Sequence, residues 1–259
     1  MSWNPGQYLK FAEPRFRPGL DLMARVPDLP ARRVVDLGCG TGQLTAMLSA
    51  RFPQARTTGV DNSRDMLAKA RAEHPAESWP HLDWHEADIA SWAPEEPLDL
   101  LFSNAALQWV TDHRTLFPRL LQCVAPGGIL AVQVPTNFSA PSHVLLRKTV
   151  EERDLSDRIT LRHDPVLTAE GYYDLLAPRA ARVEIWETEY LHVLEGEAPV
   201  LEWVRATALR PVLDVLSGPE LDRFLDDYGR RLDEAYPRRA DGSTLFPFRR
   251  LFLLAQAPA

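Results

Sequence analysis

Cysteine is scarce. Cys39 and Cys123 are the only two in 259 residues. Two thiols cannot build a disulfide framework or a cysteine-rich zinc site. Positive charge is short as well. Lysine and arginine total 29 against 36 acids, a formal net charge of -7. No long basic run occurs, which argues against general nucleic-acid binding. No apolar run approaches the length of a membrane span, and no signal peptide opens the chain. The expectation is a cytoplasmic protein with no membrane and no nucleic-acid partner. Internal repeats and low-complexity linkers are missing too. So is the Gly-Lys-Ser/Thr ending of a phosphate loop, and so is the G-x-G-x-x-G spacing of a dinucleotide fold. His85 and Glu86 stand without further ligands, so no metal site is expected.

What is present is ordinary in bulk and specific in one stretch. Hydrophobic residues make up 45% and charged residues 25%, as in globular domains generally. The length suits one domain over residues 1–259, with inserts. Arg33 to Gly42 reads RVVDLGCGTG. Val34, Val35 and Leu37 give the short apolar run of a buried parallel strand. Asp36 sits near its carboxyl end. Gly38, Gly40 and Gly42 follow at every second position, where glycine permits positive φ and close approach of a ligand. Leu44, Met47 and Leu48 then recur at helical spacing. Strand, glycine turn and helix in this order form the nucleotide-cradling element of an α/β sheet. An acid directly before the glycines repels a pyrophosphate and suits a cationic amine or a ribose hydroxyl.

DLGCGTG resembles the first motif of the class I S-adenosylmethionine-dependent methyltransferases. The resemblance implies that the loop, Cys39 included, packs under the methionine part of the cofactor and that Asp36 contacts it. It also implies a seven-stranded, mostly parallel Rossmann-like sheet of order 3-2-1-4-5, with two later strands at the edge and the last one reversed. The helical inserts would form a substrate lid.

Along the chain, Leu20 to Val26 reads as a short helix. Ahead of it, Trp3, Tyr8, Phe11 and Phe16 are too many aromatics for a disordered arm. In the resembled family such a segment commonly folds over the cofactor, which makes Tyr8 a candidate there. Arg56 to Asp61 is the second strand. Its Asp61 lies about twenty residues beyond the glycine loop, where nucleoside-binding α/β folds place a ribose acceptor. Asn62 and Ser63 can cap the next helix, and Met66 is the family's apolar neighbour of the adenine. Leu82 to Asp88 reads as the third strand. By resemblance, Asp88 accepts from the adenine amino group and the Ile89 amide meets the ring. Leu98 to Asn104 is the fourth, apolar enough to be buried on both faces. Asn104 and Gln108 then line the space near the transferable methyl, while Trp109 fills core. A turn at Ala125 to Gly128 precedes the fifth strand, Ile129 to Val134. Arg182 to Val193 alternates like an edge strand, and Leu251 to Ala255 reads as a buried final strand.

Two largely helical inserts lie at about 137–176 and 196–242. The inserts and the last strand carry Arg158, Arg162, Arg205, Arg210, Arg249 and Arg250 with His163 and His192. Guanidinium groups in an acidic chain suit an anionic, carboxylate substrate. The insert segments are similar to bacterial members of the family that esterify a small tricarboxylic acid. That resemblance implies positioning roles for Asn137, Tyr172, Trp203, Arg210 and Arg250 beside Tyr8. No nucleophile, general base or metal is needed, because a carboxylate is ionised at neutral pH. The adjacent Arg249 and Arg250 leave open which one faces substrate. A methyltransferase for another small acid or metabolite remains an alternative. So do a nicotinamide dehydrogenase, disfavoured by the glycine spacing, and a silent cofactor-binding protein. The expected assembly is a monomer or weak dimer.

Overall fold

The computed structural model describes residues 12–161, 166–205 and 207–259. Its seven strands form one sheet in the order β3-β2-β1-β4-β5-β7-β6. They are β1 (Arg33–Leu37), β2 (Arg56–Asp61), β3 (Leu82–Glu86), β4 (Leu98–Asn104), β5 (Val124–Pro135), β6 (Arg182–Leu194) and β7 (Thr244–Gln256). The β1–β2, β1–β4, β2–β3 and β4–β5 pairings are parallel, and β7 runs antiparallel to β5. Strand order, parallel core and reversed last strand match the sequence reading.

Among the described residues the chain divides into two compact units, residues 12–135, 166–188 and 250–259, and residues 136–161, 189–205 and 207–249. The first unit holds β1 to β5, with β6 up to Thr188 and β7 from Arg250. Its helices are α1 (Ala12–Arg25), α2 (Gln43–Arg51), α3 (Arg64–Glu73), α4 (His113–Gln122) and α6 (Ala169–Leu176). The second holds α5 (Pro141–Glu152), α7 (Pro199–Arg205), α8 (Arg210–Leu213) and α9 (Gly218–Ala235). The first expected insert therefore divides between them: α5 belongs to the second unit and α6 to the first.

The apolar runs of the sequence become the core of the first unit. Leu37, Leu101, Leu130, Val132, Leu251 and Leu253 belong to one buried cluster. Removing that surface from water is the main driving force for the sheet. In the second unit, Phe224, Tyr228 and Leu232 repeat every four residues and form the buried face of α9, which packs on α5. The Tyr228 hydroxyl donates to the Ser142 carbonyl at 2.8 Å. Trp203 stacks on His192 with ring centroids 4.6 Å apart. Among the described residues, no helix is long and apolar enough to cross a membrane.

Four element boundaries differ from expectation. The first helix begins at Ala12 rather than Leu20 and runs through Pro18; proline removes one N–H and the rest of the helix continues around it. The third strand stops at Glu86, because the Asp88 side chain accepts from the Ala90 amide at 2.9 Å and turns the chain. The fifth strand takes in the expected turn. Val124 pairs with Leu98 and Ile129 with Leu100, so the residues between bulge out of register. The last strand starts at Thr244. Its pairing with β5 covers only Arg250 to Gln256, so Pro247 lies where no β5 partner requires its missing N–H.

Candidate active site

The parallel strands bring the carboxyl ends of β1 to β4 to one edge of the first unit. Leu37 is level with Val60, Asp61 with Glu86, and Asn104 with Gln133. The chain order reverses between β1 and β4, and open α/β sheets have their ligand crevice at such a point. The predicted cofactor residues Asp36, Gly38, Cys39, Gly40, Gly42, Asp61, Asn62, Met66, Asp88, Ile89, Asn104 and Gln108 all lie on or just beyond these strand ends.

The glycine loop is left-handed at each glycine: φ is 84° at Gly38, 56° at Gly40 and 85° at Gly42. A Cβ on Gly38 would come 2.1 Å from the Ala106 Cβ and 3.2 Å from the Ile89 Cδ1. One on Gly42 would come 2.2 Å from the Trp84 Cη2. Gly40 differs. A Cβ there meets nothing within 4 Å, so that peptide is open to a ligand. The amides of Gly38 and Cys39 both donate to the Val60 carbonyl, at 2.7 and 3.0 Å.

Two carboxylates flank the loop. Asp36 is 2% exposed and accepts from the Thr45 hydroxyl at 2.7 Å. Burial raises its pKa to about 7, with Thr45 lowering it and the Asp61 charge raising it. Asp61 accepts from the Gly40 amide at 2.9 Å through Oδ2 and from the Ser63 amide at 2.9 Å through Oδ1. Burial raises its pKa also, opposed by the amides of Ser63, Gly40 and Asn62. A carboxylate has about four acceptor positions, so both oxygens retain capacity for hydroxyl donors. Burial, reinforced by Asp36 and Asp61, pushes the Cys39 thiol well up. Cys39 is therefore a neutral filler of the loop.

Asn62 is exposed and Met66 buried. Ser63 caps α3 by accepting from the Met66 amide. Asp88 is exposed, beside half-buried Ile89. Arg119 fixes this segment. Its guanidinium donates to the carbonyls of Ile89 and Ala90, each at 3.0 Å, and to that of Trp92. Beyond β4, Ala105 has φ 54°, and the Gln108 Nε2 closes onto its carbonyl at 2.6 Å. The Asn104 Oδ1 and Gln108 Oε1 are buried acceptors without partners. Orphaned acceptors and two acids beside an open glycine peptide fit a cationic group and vicinal hydroxyls. S-adenosylmethionine presents both, so these residues fit it.

The predicted acid-binding residues are more dispersed. Tyr8, with Arg162 and His163, lies outside the described residues. Tyr172 is fully buried; its hydroxyl lies 2.6 Å from the His113 Nδ1, and the His113 Nε2 meets the Leu107 carbonyl at 2.9 Å. It ties α6 to α4 and to the turn after β4 within the first unit. Arg250 also belongs to that unit and is 5% exposed, whereas Arg249 is exposed and paired with Glu189 at 3.0 Å. The alternation of β7 thus separates the two arginines, and the buried one is Arg250. In the second unit, Asn137 is buried and accepts from the Arg249 amide at 2.9 Å. Trp203 is packed against His192, Phe246 and Phe248. Arg210 opens α8, 4.0 Å from Asp214. Of the other arginines, Arg158 pairs with Glu220 and Arg205 with Glu202.

Sequence reasoning assigned no role to Thr45, Trp84 or Arg119. Arg119 carried a signal: it is a half-buried cation in the apolar run Leu116, Phe117, Leu120 and Leu121, where a polar head drawn from water needs fixed partners.

A family profile described as a methyltransferase domain matches residues 34–128, the span from β1 into β5. The trans-aconitate 2-methyltransferase of Streptomyces coelicolor is 51% identical over 265 residues, covering 99% of this chain and 87% of that protein. That of Acidovorax ebreus is 47% identical, covering 98% of each. Phosphoethanolamine N-methyltransferase 2 of Haemonchus contortus was solved in complex with phosphomonomethylethanolamine and S-adenosylhomocysteine. It aligns at a TM-score of 0.57 and 18% identity, over 94% of this chain and 53% of that one, and shares the fold. With about half of its residues identical across nearly the whole length, this chain belongs to the trans-aconitate 2-methyltransferase family of S-adenosylmethionine-dependent enzymes.

Proposed function

We propose that this enzyme transfers the methyl group of S-adenosylmethionine to a carboxylate of trans-aconitate, forming the monomethyl ester and S-adenosylhomocysteine. The observation that carries the reading is the full-length identity to trans-aconitate 2-methyltransferases. When bound, S-adenosylmethionine would supply an electrophilic sulfonium methyl to a carboxylate oxygen, with the electron pair left on sulfur.

In this reading the protein holds and aligns. Asp61 accepts from the ribose hydroxyls while its amide contacts keep the loop in place. Asp36, Asn104 and Gln108 accept from the cationic methionine end. Met66, Asp88 and Ile89 receive the adenine. Arg250 binds a carboxylate of the acid, its planar guanidinium fork matching the two oxygens at two points. No proton has to move, so the rate comes from alignment: reacting atoms held at about 3 Å replace an encounter in solution. Excluding water also strips the carboxylate of solvation that weakens it as a nucleophile. Two free cysteines suit the cytoplasm as its compartment, and a monomer or weak dimer is its assembly.

The test is a transfer assay with methyl-labelled S-adenosylmethionine, comparing trans-aconitate with cis-aconitate, citrate and isocitrate. Base-labile label on trans-aconitate, in clear preference to the others, is expected. Cofactor binding without transfer to any of them would reject this acceptor and direct the search to other small acids.

A further inference from the structure

Within the second unit lies a groove of about 700 Å³. Its charged and polar wall is made by Thr136, Asn137, Glu189, Arg238, Arg239 and Arg249. Three arginines and one glutamate therefore line it, with Asp241 acting electrostatically on Arg239, in a chain whose formal net charge is -7. We propose that this groove binds a small polycarboxylate anion.

The donors are held ready for it. Arg238 is tethered by its Nη2 to the carbonyls of Gly196 at 2.5 Å and Glu197 at 3.1 Å, which leaves its Nε and other Nη to face a ligand. Arg249 is tethered by its Nε to Glu189, leaving both Nη groups. The Arg239 guanidinium forms no hydrogen bond or ion pair among the described residues. The amide orientation of Asn137 follows from its surroundings. The Arg249 N–H needs an acceptor and finds one Asn137 atom at 2.9 Å, so that atom is the oxygen and the other is the NH2. That NH2 is buried without a partner, as is the Thr136 hydroxyl. Neither atom has surface open to the groove, so the guanidinium groups are the donors offered to an anion.

Size and spacing select the class. A phosphate ion fills a small part of about 700 Å³, and it calls for one tight cradle rather than separated cations. Several carboxylates on a short carbon skeleton can engage several guanidinium forks at once. Leu245 and Pro247 also line the groove and offer apolar surface to that skeleton. Such a mix of apolar wall and few polar groups is usual for small-molecule sites.

Titration calorimetry with citrate as the probe tests this on the full chain loaded with S-adenosylhomocysteine. The readout is binding, so it does not depend on the methyl-transfer reading. Saturable binding to the parent is expected, with a loss of at least tenfold in the Arg238→Ala/Arg239→Ala double variant. Both side chains are exposed, and an unchanged melting temperature checks the fold. Arg239→Glu alone, which reverses one wall charge, is expected to weaken citrate further than Arg239→Ala. Absence of citrate binding to the parent overturns the proposal. So does equal affinity in the double variant, or phosphate binding as tightly as citrate. The KM for trans-aconitate then identifies the source of the anion. A parallel rise in the double variant makes the groove part of the acceptor's binding, and an unchanged KM makes it the site of a second acid.

Discussion

Asp61 grips Gly40 by the backbone. The carboxylate at the end of β2 accepts the amide of the open glycine at 2.9 Å, and its second oxygen takes the Ser63 amide at the start of α3. One side chain thus sets the glycine loop and the α3 terminus relative to β2 before any ligand arrives. Asp61→Ala is expected to weaken S-adenosylmethionine by roughly 1–3 kcal/mol, the scale for losing a charged acceptor. Calorimetry measures it. Affinity equal to the parent would remove Asp61 from the cofactor site.

Asp36 makes the enzyme sensitive to pH. Its folded pKa of about 7 lies above the ordinary 3.8, so the folded state binds the extra proton. Its contribution to the stability of the ligand-free protein is complete below about 3.8 and is lost as pH rises through about 7. The melting temperature of the parent, compared with Asp36→Asn, is expected to fall across that window and to level off above it. A cationic ligand favours the ionised form. S-adenosylmethionine binding should therefore release a proton below pH 7 and strengthen toward 7, as calorimetry in buffers of different ionisation enthalpy will read. A flat profile would mean that Asp36 ionises normally.

Gly38 and Gly40 separate two costs that a loop glycine can carry. Both have positive φ, which a Cβ penalises by about 1–2 kcal/mol. Only at Gly38 does the Cβ also collide, with Ala106. Gly40→Ala should lose about 1–2 kcal/mol of stability. Gly38→Ala should lose more and also weaken the cofactor, because relief of the clash moves the segment after β4. Denaturant unfolding of the two variants decides it, and equal losses would contradict the packing argument.

Arg249 and Arg250 are neighbours in sequence with opposite surroundings. Arg249→Ala removes an exposed ion pair to Glu189 and should change stability by about 0–1 kcal/mol. Arg250→Ala should raise the KM for trans-aconitate while leaving S-adenosylmethionine affinity intact. Arg250→Lys should restore little, since an ammonium lacks the planar fork. Full activity in Arg250→Ala would reject its role.

The site was legible where local chemistry demanded a residue type. Glycines at positive φ, an acid at a strand end and apolar strand runs are set by backbone geometry and burial, so DLGCGTG and Asp61 could be read without a structure. Residues that act at long range were not legible. Arg119 serves the Ile89, Ala90 and Trp92 carbonyls some thirty positions away, and Thr45 reaches back from α2 to Asp36. Arg249 and Arg250 were undecided for a related reason: alternation separates them, but which one is buried depends on what packs against each face of β7. Tyr172 shows the converse. A tyrosine in an insert reads as a substrate contact, yet its hydroxyl is turned to His113 in the core.

Trp84 ties two glycines into one constraint. It is level with Gly59 in the neighbouring strand, and a Cβ on either Gly59 or Gly42 would strike the same indole. The three positions share one volume, and their substitutions have an order. A Cβ on Gly59 meets the indole at 2.6 Å and the Cys39 Sγ at 3.0 Å, so replacing the tryptophan first removes the severe clash and leaves only the tight sulfur contact. At Gly42 the positive φ of 85° penalises a side chain even when the indole is removed.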